Sequence, residues 1–349
     1  MNIDILTADE LDQLQQLITN AQHIVICGHK SPDGDALGSS LAWSEYLTSQ
    51  CGKQATIIMP DAFPDFLRWL PNSERILRYD KHPQEVEELF QKADLVFCLD
   101  FGSTDRVVDM QKVLEASPAK RAMIDHHTHP DMSAVFSVSV ENASSTSELI
   151  FRIIWQLGGF KMMTSQCAAP IYCGMMTDTG GFTYNSSRPE IFFIISQLLA
   201  KGVDKDKIYR NVFHNFSQWA VRLRGYMMSQ KLNVLDDFHA CYYSISRQDM
   251  SNFHFVKGDA EGLVNIPLMI KGTKLSISLR EDDRHNNLIW VSLRSVDDFP
   301  CNEMATKFFN GGGHVNASGG RLFCSLADAE KVVKQALIYY EDRLKAKSK

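Results

Sequence analysis

Carboxylate and imidazole side chains recur in this chain just past short apolar runs. His23–His29 ends in His29 and leads into Lys30-Ser31-Pro32-Asp33-Gly34-Asp35. Leu95–Asp100 ends in Asp100, and Arg121–Asp125 runs into Asp125-His126-His127. A fourth segment, Met175–Gly181, places Asp178 where a helical pattern breaks into glycines. Brought together without a counter-charge, Asp33, Asp35, Asp100, Asp125 and Asp178 would repel one another, and bound divalent metal removes that conflict. His29, Asp33, Asp35, Asp100, His126 and Asp178 make six donors, too many for one tetrahedral zinc. They suit two ions about 3.5–4 Å apart if one carboxylate bridges them. Mixed imidazole and carboxylate donors favour Mn²⁺ or a similar transition metal over Mg²⁺, which prefers oxygen and keeps its waters. Such a pair clamps the attacking and leaving oxygens of a phosphoryl centre, so the chemistry predicted is hydrolysis of a phosphoester or phosphoanhydride.

The elements that carry these residues follow from the apolar patterning. Continuous β-rich runs at 23–29, 55–59, 95–100 and 121–125 are separated by helical stretches near 38–48 and 83–92, the signature of a parallel sheet covered on both faces. Right-handed crossovers make this a doubly wound α/β layer, and the ends of its parallel strands share one edge, where open sheets hold their ligands. Residues 145–231 are mostly helical, with a polar-faced stretch near 204–230. Runs at 241–245, 274–280 and 288–294, the last two joined as a hairpin, precede a closing helix over 326–346 and a frayed basic tail, Lys345 to Lys349. The expected fold class is therefore α/β: a catalytic domain at 1–200, a helical linker at 201–234 and a smaller α+β domain at 235–349.

Composition narrows the classes further. The 349 residues are 44% hydrophobic and 22% charged, enough to bury a core. No apolar run reaches the roughly 18 residues of a membrane span, and the acidic amphipathic N-terminus is not a cleavable signal. The net charge of −6 argues against a protein that coats long nucleic acid. That charge is uneven: from Lys231 onward 16 Lys/Arg face 15 Asp/Glu, which leaves 20 against 27 for the first 230 residues. The eight cysteines form no Cys-x-x-Cys pair, so neither a disulfide framework nor a zinc ribbon is expected, and a reducing cytoplasm fits.

A second signal lies near the C-terminus. In Asn310-Gly311-Gly312-Gly313-His314-Val315-Asn316-Ala317-Ser318-Gly319-Gly320, the glycines let backbone amides such as those of Gly312 and Gly313 converge on an anion, with His314 adding a donor. A plain flexible loop is the alternative. Arg294-Ser295 ends a strand shortly before, and arginine grips phosphate bidentately.

With these motifs in order, the chain resembles the DHH phosphoesterase superfamily, whose name matches the triplet Asp125-His126-His127. The Gly311-Gly312-Gly313-His314 and Ala317-Ser318-Gly319-Gly320 runs are similar to its DHH-associated C-terminal domain. In length and layout it looks like the small oligoribonucleases that also dephosphorylate adenosine 3′,5′-bisphosphate. The resemblance implies His29, Asp33 and Asp100 on one metal and Asp35, Asp100, His126 and Asp178 on the other, with Asp100 as the bridge. It further implies His127 at the scissile phosphate or leaving oxygen and Asp125 orienting a neighbouring imidazole. Arg106 would contact phosphate, and Arg294, Ser295, Gly312, Gly313 and His314 would bind the substrate's terminal phosphate or 3′-terminal nucleotide. Phe182, Tyr184, Phe253 and Phe255 are candidates for base stacking. Ser31 stands where the family commonly has Asn.

The implied function is Mn²⁺-dependent hydrolysis of short oligoribonucleotides or dinucleotides to nucleoside 5′-monophosphates, with adenosine bisphosphate as a neighbouring substrate. Alternatives are a cyclic-dinucleotide phosphodiesterase, a polyphosphate or pyrophosphate hydrolase, and a non-catalytic nucleotide sensor. The partners implied are small nucleotides or short RNA rather than a membrane or long nucleic acid, with a homodimer left open.

Overall fold

The computed structural model describes residues 2–256 and 258–346; the tail positions 347–349 lie outside the described residues. The chain forms two compact units, Met1–Asn215 and Phe216–Lys349.

The first unit is built on a six-stranded sheet: β1 (Ile24–Cys27), β2 (Ala55–Met59), β3 (Leu77–Arg78), β4 (Leu95–Leu99), β5 (Lys120–Asp125) and β6 (Phe136–Ser139), in the order β3-β2-β1-β4-β5-β6. Every pairing is parallel. The central strands β1 and β4 are buried along their whole length, which explains their unbroken apolar sequence. The outer strands β3 and β6 lie outside the continuous apolar runs: β3 is only two residues long, and β6 carries the Phe136-Ser137-Val138-Ser139 alternation of a half-buried edge strand.

Helices α1 (Ala8–Asn20), α2 (Gly34–Cys51), α3 (Pro83–Lys92), α4 (Gln111–Ala116), α5 (Thr146–Gln156), α6 (Ser165–Asp178), α7 (Pro189–Ala200) and α8 (Lys205–Phe213) complete this unit. α2 starts four residues earlier than its apolar pattern indicates, because Asp33 caps it: its carboxylate accepts from the amides of Asp35 and Ala36 at 3.0 and 3.1 Å. Two clusters cover the sheet. One gathers α1, α2, α5 and α6 around Trp43, Phe97 and Phe151. The other packs Phe90, Phe101 and Leu114 from the α3–α4 side against Val25, Val96 and Cys98.

The second unit holds α9 (Gln218–Tyr226), β7 (Asn233–Leu235), β8 (Ala240–Ile245), α10 (Arg247–Asn252), β9 (Leu275–Glu281), β10 (Ile289–Ser295), α11 (Cys301–Phe308), β11 (Gly312–His314), β12 (Ala317–Leu322), α12 (Leu326–Tyr339) and α13 (Glu341–Lys345). Its mixed sheet runs β11-β12-β10-β9-β8-β7. β8 and β9 are parallel and β9–β10 is the expected hairpin. The closing helix breaks at Tyr340 into α12 and α13. The helical stretch 201–234 is divided between the units: α8 packs Ile208 and Val212 into the first core, while Leu223 and Met227 join Tyr243 and Leu263 in the second. Among the described residues no helix is long and apolar enough to cross a membrane.

Candidate metal centre

Strand order reverses between β1 and β4, the position where a doubly wound sheet opens a crevice at its carboxyl edge. His29 follows β1 and Asp100 follows β4 directly, so both reach that crevice. Asp100 has φ of +68°, a left-handed conformation uncommon outside glycine and one that collects at functional sites. Its N–H donates to the Ile124 carbonyl at 3.1 Å, which ties the turn to β5.

The two oxygens of Asp100 face different partners. Oδ2 lies 3.3 Å from His29 Nε2, which is also 3.9 Å from Asp33 Oδ1. Oδ1 lies 3.5 Å from His126 Nε2, which in turn is 3.8 Å from Asp35 Oδ2 and 3.3 Å from Asp178 Oδ2. All six donors read from the sequence are thus brought together, in two sets that share Asp100.

Each imidazole is oriented by its other nitrogen. His29 Nδ1 donates to the Lys30 carbonyl at 2.9 Å and His126 Nδ1 to the Ala143 carbonyl at 3.3 Å, so both Nε2 atoms turn to the carboxylates. His127 Nδ1 donates to Asp125 Oδ1 at 2.7 Å, so Asp125 orients the third ring. Arg106 sits in the turn Thr104–Met110, exposed, with its carbonyl accepting from the Lys30 amide at 2.8 Å. Its guanidinium is near enough to act on His29.

Electrostatics match a cation site. Burial, and then the charges of Asp35, Asp33, Asp178 and Asp125, push the Asp100 carboxyl well above the usual carboxylate range. Burial and the nearby Arg106 hold His29 below its ordinary value, so its ring is neutral and able to donate a lone pair. Burial opposes charge on His126, but Asp178, Asp35 and Asp125 outweigh it and raise its pKa. A proton on His126 or Asp100 relieves the carboxylate repulsion, and a divalent cation does so with more charge and with direct bonds to the same atoms. Two sets of imidazole and carboxylate donors sharing one carboxylate fit a pair of such cations.

Sequence reasoning missed the residues that hold the clustered carboxylates. The first turn of α5 does much of this: the Thr146 and Ser147 amides donate to Asp35 Oδ2 and Oδ1 at 2.6 and 2.8 Å, and Thr146 Oγ1 donates to Asp100 Oδ1 at 3.0 Å. The pattern Ser145-x-x-Glu148 before an apolar run signals a helix start, and Ser145 does cap α5. Nothing in that pattern says which carboxylates the helix end will meet.

Gly174 in α6 is a second omission. A Cβ there would lie 2.0 Å from Ser147 Oγ and 2.8 Å from Asp35 Oδ1. Gly174→Ala is therefore expected to destabilise the fold by about 1–3 kcal/mol through overpacking, measured by urea titration. It should also displace Asp35 and weaken cation binding.

In the second unit, Arg294 is half-buried on β10, opposite Ser276 of β9 and Ala317 of β12. Ser295 is engaged within its own unit, where its hydroxyl donates to the Phe299 carbonyl at 2.7 Å and accepts from Asn316 Nδ2 at 2.9 Å. The glycine-rich segment is a strand pair, with Gly312 opposite Gly319, Gly313 opposite Ser318 and His314 opposite Ala317. A Cβ on Gly311 would lie 1.9 Å from the Gly319 carbonyl oxygen, so close backbone approach explains that glycine. Of the aromatic candidates, Phe182 packs on Tyr172 and Phe253 on Tyr226. Phe255 lies beside the Arg280 guanidinium, and Tyr184 is exposed.

Comparison with known proteins shows the family. Residues 23–175 match the family described as DHH family, N-terminal domain. The chain is 30% identical over 303 residues to the bifunctional oligoribonuclease and PAP phosphatase NrnA of Thermus thermophilus, covering 86% of this chain and 84% of that protein. It is 29% identical to a probable protein of the same description from Streptococcus mutans, covering 89% and 93%. A crystal structure of an exopolyphosphatase-related protein from Bacteroides fragilis superimposes with a TM-score of 0.94 at 45% identity, covering 99% of this chain and 100% of that one.

Proposed function

Because the chain belongs to the DHH family and is a metal-dependent phosphoester hydrolase, we propose that it uses two divalent cations, Mn²⁺ by the donor chemistry, to hydrolyse short oligoribonucleotides and adenosine 3′,5′-bisphosphate. One observation carries the reading: the two oxygens of Asp100 serve separate donor sets, 3.3 Å from His29 Nε2 and 3.5 Å from His126 Nε2. His29, Asp33 and Asp100 would hold one cation, and Asp35, Asp100, His126 and Asp178 the other. Cations held by these residues would supply a water of lowered pKa and positive charge against the phosphoryl oxygens.

The remaining residues act on the substrate. His127, its Nδ1–H committed to Asp125, offers Nε2 to the scissile phosphate or the departing oxygen. Arg106 meets a phosphoryl oxygen beside His29. We assign catalysis to the region 1–200 and recognition of the terminal phosphate or 3′-nucleotide to Arg294, His314 and the Gly312 and Gly313 amides in 235–349. Ser295 supports the end of β10 through its bond to Phe299.

The test is a panel assayed with Mn²⁺: RNA of about two, five and twenty nucleotides, linear and cyclic dinucleotides, adenosine 3′,5′-bisphosphate, pyrophosphate and polyphosphate. Selection for short substrates by this site should show as turnover falling from the shortest RNA to the longest, with nucleoside monophosphate as product. Equal rates at all lengths would contradict it. A second reading, polyphosphate hydrolysis, is favoured by the likeness to the exopolyphosphatase-related protein; faster turnover of polyphosphate than of any nucleotide would establish it instead.

A further inference from the structure

The two donor sets are not supported alike. Thr146, fully buried at the start of α5, grips the two carboxylate oxygens that face His126. Its amide donates to Asp35 Oδ2 at 2.6 Å and its hydroxyl to Asp100 Oδ1 at 3.0 Å. These are the oxygens 3.8 and 3.5 Å from His126 Nε2. Among the hydrogen bonds of the described residues, none joins Thr146 to His29, Asp33 or Asp100 Oδ2. Asp33 is instead held by the start of its own helix α2, through the amides of Asp35 and Ala36.

We propose that Thr146 is a positioning residue for one cation only, the one held by Asp35, Asp100, His126 and Asp178, and that the two cations therefore bind with separable affinities. The inference rests on the two-cation reading above and adds an asymmetry to it. Asp35 comes from α2 and Asp100 from the end of β4, elements with no covalent reason to keep their carboxylates in register. One residue bonded to both sets their separation. Its hydroxyl also takes one lone pair of Oδ1 and fixes the direction of the other, which is the work of an outer partner in a metal site. Loss of such a partner typically costs about 10–100-fold in metal affinity. The donor set around His29 shares only the far oxygen of Asp100 and should be spared.

Calorimetric titration of Mn²⁺ into full-length, chelator-stripped protein tests this without any measurement of turnover. Wild type should take up two equivalents. Thr146→Val, close to isosteric, should bind one equivalent with unchanged affinity and the other about tenfold or more weakly, whereas Thr146→Ser should restore binding to within a few-fold of wild type. Thr146→Ala keeps the amide bond to Asp35 and adds no bulk, so it reports on the hydroxyl if the valine variant does not fold. Equal weakening of both equivalents, or of neither, in the folded hydroxyl-less variant overturns the asymmetry while leaving the two-cation site standing. Fewer than two equivalents in wild type overturns both.

Discussion

Asp100→Asn is expected to lower hydrolysis by about a thousandfold or more, since the shared carboxylate supports both donor sets and each 1.4 kcal/mol of lost transition-state stabilisation is a factor of ten. Uptake of Mn²⁺ should fall from two equivalents to at most one weak one. Stability should move the other way in the absence of metal. The Asp100 pKa is raised by burial and by four neighbouring carboxylates, so its charged form is more costly in the folded chain than in the unfolded one. The contribution of Asp100 to the stability of the metal-free wild type should therefore be most favourable below the unfolded value of about 3.9 and be lost as pH rises from there through the raised folded value. Asparagine removes that dependence. Metal-free Asp100→Asn should unfold at a higher denaturant concentration than wild type at neutral pH, and added Mn²⁺ should narrow or reverse the gap. A variant less stable than wild type without metal would mean that Asp100 is held by contacts other than those around it here, and retained turnover would sink the bridging role.

Much of this site was legible because it depends on strand ends. His29, Asp100 and Asp125 stand at or just beyond β1, β4 and β5, whose apolar runs mark them clearly, and parallel strands of one sheet deliver their ends to one edge. Asp33 and Asp35 were readable as donors but not in their local setting. Asp33 is the cap of α2 and Asp35 belongs to its first turn, because the chain turns helical as soon as Asp33 satisfies the first free amides. What stayed hidden depends on where helices cross. Thr146 resembles any residue in a helix start, and Gly174 any glycine in a helix. Their significance comes from distances to Asp35 that no spacing encodes. The secondary structure of the glycine-rich segment stayed hidden for a related reason. Gly312 and Gly313 read as glycines whose amides could converge on an anion, with a plain loop as the alternative, and neither reading shows that the backbone there pairs with β12.

Glu148 shows the same limit with a larger energetic consequence. A glutamate early in a helix reads as a solvated capping residue, but this one is fully buried. Its Oε1 pairs with Arg152 Nη2 at 2.7 Å and its Oε2 with Arg188 Nη2 at 2.8 Å, and Oε2 also accepts from the Ser144 amide and hydroxyl, each at 2.7 Å. Removing one partner of a buried pair leaves the other charge without compensation, at a cost of about 3–5 kcal/mol. Glu148→Ala strands Arg152, itself almost buried, and should lose about that much in urea unfolding. Replacing both Glu148 and Arg152 by leucine should recover only the part of the loss that comes from stranding Arg152, because Ser144 and Arg188 still lack their acceptor. A double-mutant cycle then gives the coupling directly. The effect should also reach the metal centre. Ser144 follows Ala143, whose carbonyl accepts from His126 Nδ1, so freeing Ser144 releases the group that orients that imidazole. Glu148→Ala at a temperature where it remains folded should therefore bind Mn²⁺ more weakly than wild type. Unchanged affinity would confine Glu148 to the stability of α5 and mean that the Ala143 carbonyl holds His126 without help from Ser144.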